Sequence, residues 1–250
     1  MSTAQLALTH ARYNLIETAR VPIAVIGSMV FPTLAFCLFV LPQSYVTQDP
    51  AMATASVASM VVFAFMASGL FSIGIDLAEQ RAKPWVPFLR TLPAQPGARI
   101  GGMLLATLAI GTLAMVPLLI VGALFTAAAP AVTDLVAAMG LAILTAVPSM
   151  LIGFVIGTVS GPKAAIAVTQ VAMFLLAFGG GLFLPPQMFA DWLNTASSFL
   201  PVRQAREIVV NTALGEAIPP WAILGILAWT VLLGALAAWL YRRDEGRRFR

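Results

Sequence analysis

The sequence predicts an all-α membrane protein with six transmembrane helices. Only 10% of its 250 residues are charged, whereas soluble domains carry roughly 25%. Hydrophobic residues make up 60% of the chain, and the mean hydropathy is +0.94. These residues are gathered into apolar runs of about 20 residues, the length of helix that crosses the hydrocarbon core of a bilayer. We therefore expect a single membrane domain over residues 1–250.

Residues 1–21 predict a helix that lies along the membrane surface. His10, Arg12 and Glu17 interrupt this segment, so it lacks the apolar core of a cleavable signal peptide. Leu8 and Leu15 fall on one side of the predicted helix, as in an amphipathic interfacial helix. A plain polar extension is the alternative.

Six apolar runs follow, separated by polar or proline-containing segments. Pro148 predicts a kink in the fourth run. Aromatic residues near the ends of the sixth, Trp221, Trp239 and Tyr241, are typical of the membrane interface. The predicted spans are 22–41, 54–75, 100–125, 135–158, 164–184 and 221–241.

The basic residues predict the orientation. With the N-terminus inside, 12 of the 14 Lys and Arg residues lie on the cytoplasmic side, and only Arg203 and Arg206 lie outside. This asymmetry is the positive-inside rule. It predicts a plasma-membrane protein with both termini cytoplasmic, including the tail 242–250. The same placement beside the spans favours lipid headgroups over nucleic acid as the partner of these charges.

Residues 185–220 predict a re-entrant segment on the external side. Prolines divide the segment into helical pieces near 187–200 and 202–214, and neither is long enough to span. Phe189 and Trp192 nevertheless require an apolar environment. A helical hairpin that dips into the membrane satisfies both requirements, and a pair of surface amphipathic helices is the alternative.

Residues 76–99 predict a short structured segment on the cytoplasmic face. The segment contains four basic residues, two acidic residues (Asp76 and Glu79), four prolines and Trp85. Apolar runs flank it on both sides, so its charge is expected to hold it outside the membrane.

The chemistry that is missing from the sequence excludes several functions. No G-x-x-x-x-G-K-[ST] motif occurs, so we expect no ATP hydrolysis by this chain. One His and one Cys, on different segments, favour neither a metal site nor nucleophilic catalysis. The spans carry Ser, Thr and Gln but no central carboxylate, which disfavours coupling to an ion gradient. Energy would then come from a partner that acts on residues 76–99.

Three stretches resemble the membrane subunits of ABC-2 type exporters, in particular the daunorubicin-resistance-like drug exporters. The first is LAEQRAKPWVPFLRTLPAQP, after the second predicted span. The second is GGGLFLPPQMFADWLNTASSFLPVRQAREIV, between the fifth and sixth. The third is YRRDEGRRF at the end of the sixth. Together with the six-span plan, the resemblance covers essentially the whole chain.

This resemblance implies a permease dimer with two separate ATPase subunits, which bind ATP and Mg; no cofactor is expected in this chain. Residues 76–99 would form a cytoplasmic coupling helix that contacts the ATPase. The alternative for the arginines is that they only fix topology. The implied contact residues are Glu79, Arg81, Trp85, Leu89, Arg90 and Thr91.

The resemblance also implies an external gate around residues 185–214. The glycines before it would permit bending or, alternatively, only close packing. The implied function is export of an amphipathic drug or lipid-like substrate by alternating access, a role connected with antibiotic resistance. A polysaccharide is an alternative substrate, and the dimer could be formed by two identical or two different permeases. The alternative functions are an ion-gradient-driven carrier and a non-transporting membrane scaffold. The implied gate residues are Gly179, Gly180, Gly181, Pro185, Phe189 and Trp192.

Overall fold

A computed structural model of the chain describes residues 3–20, 22–84 and 96–246, with side chains described for 4–20, 30–84 and 100–243. Every regular element within these ranges is helical, which confirms the predicted all-α class. The elements comprise twelve α-helices, the π-helical turn Gly69–Ile73 and the 3-10 turn Pro186–Met188. The α-helices are α1 (Thr3–Ala19), α2 (Pro22–Phe39), α3 (Ser44–Thr47), α4 (Pro50–Ser68), α5 (Gly74–Ala82), α6 (Pro96–Phe125), α7 (Val132–Thr145), α8 (Val147–Val159), α9 (Pro162–Gly179), α10 (Asp191–Ser198), α11 (Pro201–Ala213) and α12 (Pro220–Gly246).

Five helical stretches in the described residues are long and apolar enough to cross a membrane. The chain is therefore a multi-pass membrane protein. The one predicted span not among these five, 22–41, corresponds to α2, of which only the ten residues Val30–Phe39 enter this comparison. The five stretches are Pro50–Ala82, Ile100–Phe125, Val132–Val159, Pro162–Gly179 and Pro220–Arg243.

The stretch Pro50–Ala82, here called the central helix, is the most buried of the five. It begins at a capped N-terminus, where the Asp49 carboxylate accepts a hydrogen bond of 2.8 Å from the Met52 amide and Pro50 occupies the first turn. It continues to Ala82, beyond the predicted end at residue 75. The extension contains Leu77, Ala78 and Glu79, which are good helix formers.

A close crossing joins the central helix to α8. A Cβ on Gly153 would lie 2.5 Å from the carbonyl oxygen of Gly69, and one on Gly157 would lie 2.7 Å from that of Gly74. The π-helical turn between Gly69 and Gly74 adds one residue to a normal helical turn. This extra residue keeps both glycines on the side that faces α8.

The helices define two ends of the molecule. At the Pro50 end, the amide of Ala127 donates to the Thr47 carbonyl at 2.8 Å, and the Asp134 carboxylate lies beside Gly215. At the Arg81 end, the last turn of α5 meets the last turn of α8. Here α1 packs on α6, since a Cβ on Gly102 would lie 2.5 Å from that of His10. Whether α1 also lies along a membrane surface stays a prediction.

The fourth predicted span is divided near its proline. One helix ends at Thr145 and the next begins at Val147, with Pro148 in its first turn. Amides on both sides of the break still bond across it, since the Met150 amide donates to the Ala146 carbonyl at 3.1 Å. The chain thus passes Pro148 without a loop, and the kink itself stays a prediction.

Candidate functional site

A cleft of about 680 Å³ opens at the Arg81 end, between α1, α2, the central helix, α6 and α9. Its volume falls within the range of small-molecule binding sites in proteins. Apolar side chains form much of its wall: Phe31, Ala67, Phe71, Ile75, Met103, Ala106 and Ile110.

Three carboxylates line the mouth of this cleft. Glu17 comes from α1, whereas Asp76 and Glu79 come from successive turns of α5. All three residues are solvent-exposed, and both glutamates are near enough to Asp76 to interact with it electrostatically. Among the described residues that line the cleft, Lys83 is the one basic residue. These four charged side chains together carry a net charge of minus two.

Two buried hydroxyl groups line the deeper part of the cleft. Ser68 is 5% exposed and Thr107 is 2% exposed. Elsewhere in the bundle a helical hydroxyl usually donates to the carbonyl four residues earlier, as Thr112 does to Leu108 at 2.8 Å. Among the described residues, the hydroxyls of Ser68 and Thr107 have no such partner. They are therefore available to a group that enters the cleft.

The predicted coupling residues fall into two groups. Glu79 and Arg81 lie on α5, where Glu79 faces the cleft and Arg81 points toward α8. Trp85, Leu89, Arg90 and Thr91 lie outside the described residues, as do all of residues 85–95 of segment 76–99.

Arg81 fastens α5 to the C-terminal end of α8. Its guanidinium donates to the carbonyl of Gly157 at 3.1 Å and to that of Thr158. The last carbonyls of a helix lack intrahelical partners and carry partial negative charge, so a cation there satisfies both requirements. This arrangement ties the start of segment 76–99 to the turn that joins α8 and α9.

The three glycines of the predicted gate lie at the end of α9. Gly181 has φ +74°, a left-handed conformation that favours glycine. The Gly179 carbonyl accepts a hydrogen bond of 2.5 Å from the Ser197 hydroxyl. Gly180 lies against Val202, since a Cβ on it would be 2.9 Å from a methyl of that valine. The glycines thus allow the segment after α9 to pack closely against the end of this helix.

The other three predicted gate residues are less enclosed. Pro185 and Phe189 are half-buried, and Trp192 on α10 is 73% exposed. A gate role for these residues stays a prediction, because only one arrangement of the segment is described.

A buried charge cluster on α11 was not predicted. Arg203 and Arg206, 8% and 5% exposed, both contact Glu207: Nε of Arg203 and Nη1 of Arg206 each lie 2.9 Å from its Oε1. Burial lowers the pKa of Arg206 to about 10 and the Glu207 carboxylate opposes this shift, so the guanidinium stays charged at neutral pH. The signal was the spacing of the three residues, i, i+3 and i+4, which places them on one helix face.

The comparisons with known proteins give one relevant similarity. No protein-family model matches the chain. It is 23% identical over 223 residues to a Bacillus subtilis (strain 168) protein named Putative transport permease YvfS, and the alignment covers 88% of this chain and 91% of that protein. The chain is thus a multi-pass helical membrane protein that is similar, over nearly its whole length, to a protein named as a transport permease.

Proposed function

We propose that this chain is the membrane subunit of an ABC-2 type exporter, which moves an amphipathic drug or lipid-like compound out of the cell by alternating access. A separate ATPase subunit would bind ATP and Mg and would drive the cycle. The similarity to YvfS supports the transport role. The absence of a P-loop from the sequence supports a separate motor.

One observation carries the proposal: the central helix lines the cleft and continues as helix into segment 76–99. Residues from Ala67 to Lys83 line the cleft along this helix. The same helix is fastened to α8 by Arg81 and by the glycine crossing. A push on segment 76–99 would therefore displace the wall of the cleft and α8 together, as in rigid-body transitions of packed helices.

The proposal includes a specific topology. Six spans, with α2 as the first, place both termini and the Arg81 end in the cytoplasm, and the positive-inside rule supports this orientation. The aromatic contacts of α2 agree with a span beside the others: the ring of Phe31 lies 5.7 Å from that of Phe63, and the ring of Phe39 lies 4.8 Å from that of Phe183. Segment 185–214 would then lie on the external side, beside the exit.

Reconstitution tests this division of labour. The chain is purified alone and together with the ATPase encoded by a neighbouring gene, and each preparation is placed in lipid vesicles. We expect outward flux of an amphipathic probe only with the ATPase and ATP, and none with a non-hydrolysable ATP analogue. Full flux without ATPase or nucleotide would refute the proposal, and flux that follows a pH gradient would favour an ion-coupled carrier.

A further inference from the structure

We propose that the cleft at the Arg81 end is a binding site for amphipathic organic cations. This inference deepens the proposed transport function and rests on it for the fate of the ligand. The site combines three features that the following paragraphs take in turn: an apolar wall, a negatively charged mouth and unpartnered hydroxyls in its depth.

The apolar wall selects for an apolar body. Met103, Ala106 and Ile110 of α6 line the cleft together with the aromatic rings of Phe31 and Phe71. All three α6 residues are at most 9% exposed, so the wall belongs to the packed bundle. Burial of apolar surface contributes roughly 25 cal/mol per Å². A ligand with aromatic or aliphatic groups would therefore gain affinity by entering.

The charge at the mouth selects for a cation. Among the charged side chains that the structure describes in the cleft lining, Glu17, Asp76 and Glu79 together outnumber Lys83 by two charges. Like charges at this spacing repel one another, and a cationic ligand placed among them relieves that repulsion. An anionic amphipath would instead meet repulsion on entering, and a neutral one would gain nothing from the carboxylates.

The hydroxyls provide the second, independent indication of a ligand. Ser68 and Thr107 are more than nine-tenths buried, line the cleft and have no hydrogen-bond partner in the part of the chain that the structure describes. Buried polar groups normally have partners. A polar group of a bound molecule, or a water that accompanies it, would satisfy these two hydroxyls.

A metal ion is a poorer occupant than an organic cation. Within residues 4–20, 30–84 and 100–243, no three His, Cys, Asp or Glu side chains are close enough together to hold a metal. The three carboxylates thus do not converge on one point as the ligands of a metal ion would.

The test uses two probes of matched shape and opposite charge. Tetraphenylphosphonium and tetraphenylborate each carry four phenyl groups around a single charge. Saturable binding of each probe to the purified full-length chain in a neutral detergent is measured by equilibrium dialysis, without ATPase. We expect saturable binding of the cation, weakened by added salt because the carboxylates are exposed, and no saturable binding of the anion.

Variants then locate the site. We expect Glu17→Gln, Asp76→Asn and Glu79→Gln each to weaken cation binding by about two- to fivefold, as for single exposed ion pairs, and the triple variant by about tenfold or more. Glu216→Gln, an exposed carboxylate at the Pro50 end, is the matched control and should bind as the wild type does. Ser72→Phe fills the cleft from a half-buried position and should abolish saturable binding while the protein stays monodisperse.

The outcomes separate this inference from the proposed function. Equal binding of both probes, or wild-type binding by the triple variant or by Ser72→Phe, overturns the inference. If cation binding follows the carboxylates but ATP never drives flux in vesicles, the binding site stands and the exporter proposal fails. If ATP drives flux of neutral or anionic compounds and the triple variant transports normally, the exporter stands and the inference fails.

Discussion

The glycine crossing between the central helix and α8 predicts opposite effects for the same substitution at two glycines. Alanine at position 153 would place its methyl group 2.5 Å from the Gly69 carbonyl oxygen and 3.3 Å from the Leu70 Cα. Both neighbours are backbone atoms, so no side chain can rotate away to make room. Alanine at position 140, also within a helix, would meet no heavy atom within 4 Å.

The magnitude follows from the geometry. Relief of the contact at Gly153 requires the two helices to separate by roughly 0.5–1 Å, a gap that loses a quarter to a half of the dispersion energy of the contacts involved. Overpacking in a well-packed interior destabilises by about 1–3 kcal/mol. Replacement of a helical glycine by alanine returns about 0.5–1 kcal/mol. We expect Gly153→Ala to be destabilising by about 1–2 kcal/mol and Gly140→Ala to be neutral or stabilising by up to about 1 kcal/mol.

Equilibrium unfolding in mixed micelles, with increasing fractions of a denaturing detergent, measures both variants against the wild type. Circular dichroism before unfolding checks that each variant retains its helical content. The reasoning would be refuted if Gly153→Ala were as stable as Gly140→Ala, because the two backbones would then not be in contact at Gly69.

Three further predictions concern side chains and backbone outside the cleft. Glu207→Gln leaves two buried guanidinium groups without a counter-charge and should be destabilising by about 3–5 kcal/mol in the same unfolding assay, whereas Glu216→Gln should change stability by less than about 0.5 kcal/mol. Arg81→Gln removes the charged hydrogen bonds to the end of α8. We expect the free energy of unfolding to fall by about 1 kcal/mol, since this side chain is only half-buried. We also expect a lower ratio of transport to ATP hydrolysis in reconstituted vesicles, and an unchanged ratio would count against the proposed mechanical role. Gly181→Ala forces a side chain into a left-handed conformation and against Pro186, so it should be destabilising by at least about 1–2 kcal/mol; wild-type stability would contradict the positive φ at this position.

The membrane-spanning helices were predictable because each apolar run has about the length that a helix needs to cross the hydrocarbon core of a bilayer. The predicted span 100–125 lies within α6, which begins four residues earlier, at Pro96, and ends at Phe125. The predicted ends of spans were wrong where a turn residue ends a helix within an apolar run. The predicted span 164–184 continues past the end of α9 at Gly179, because Gly181 turns the chain with a positive φ although the residues after it are still apolar.

The π-helical turn was not predictable, because its cause lies on another helix. GLFSI reads as an ordinary apolar helical segment. The extra residue becomes useful only when α8 presents Gly153 and Gly157 at close range. A single sequence gives no sign of which glycines face one another across a pair of helices.

The cleft was missed for a similar reason. Sequence reasoning assigned Asp76 and Glu79 to a loop that contacts an ATPase, and it assigned Glu17 to an interfacial helix. The fold places α5 as a continuation of the central helix and brings α1 over α6, so the three carboxylates share one mouth. Only Glu79 belonged to a predicted site, and its role there was a different one.

The few charged residues of this chain are arranged differently at its two ends. A buried charge in a membrane protein is expensive and is retained where it has a role. At the Pro50 end, Arg203 and Arg206 share Glu207 inside the bundle, so these buried charges are paired within α11 itself. At the Arg81 end, the carboxylates around the cleft are exposed and repel one another. Binding of a cationic ligand would relieve this repulsion, and its release would restore it. If the proposed function is correct, binding of a cation at the mouth would bias the position of α5.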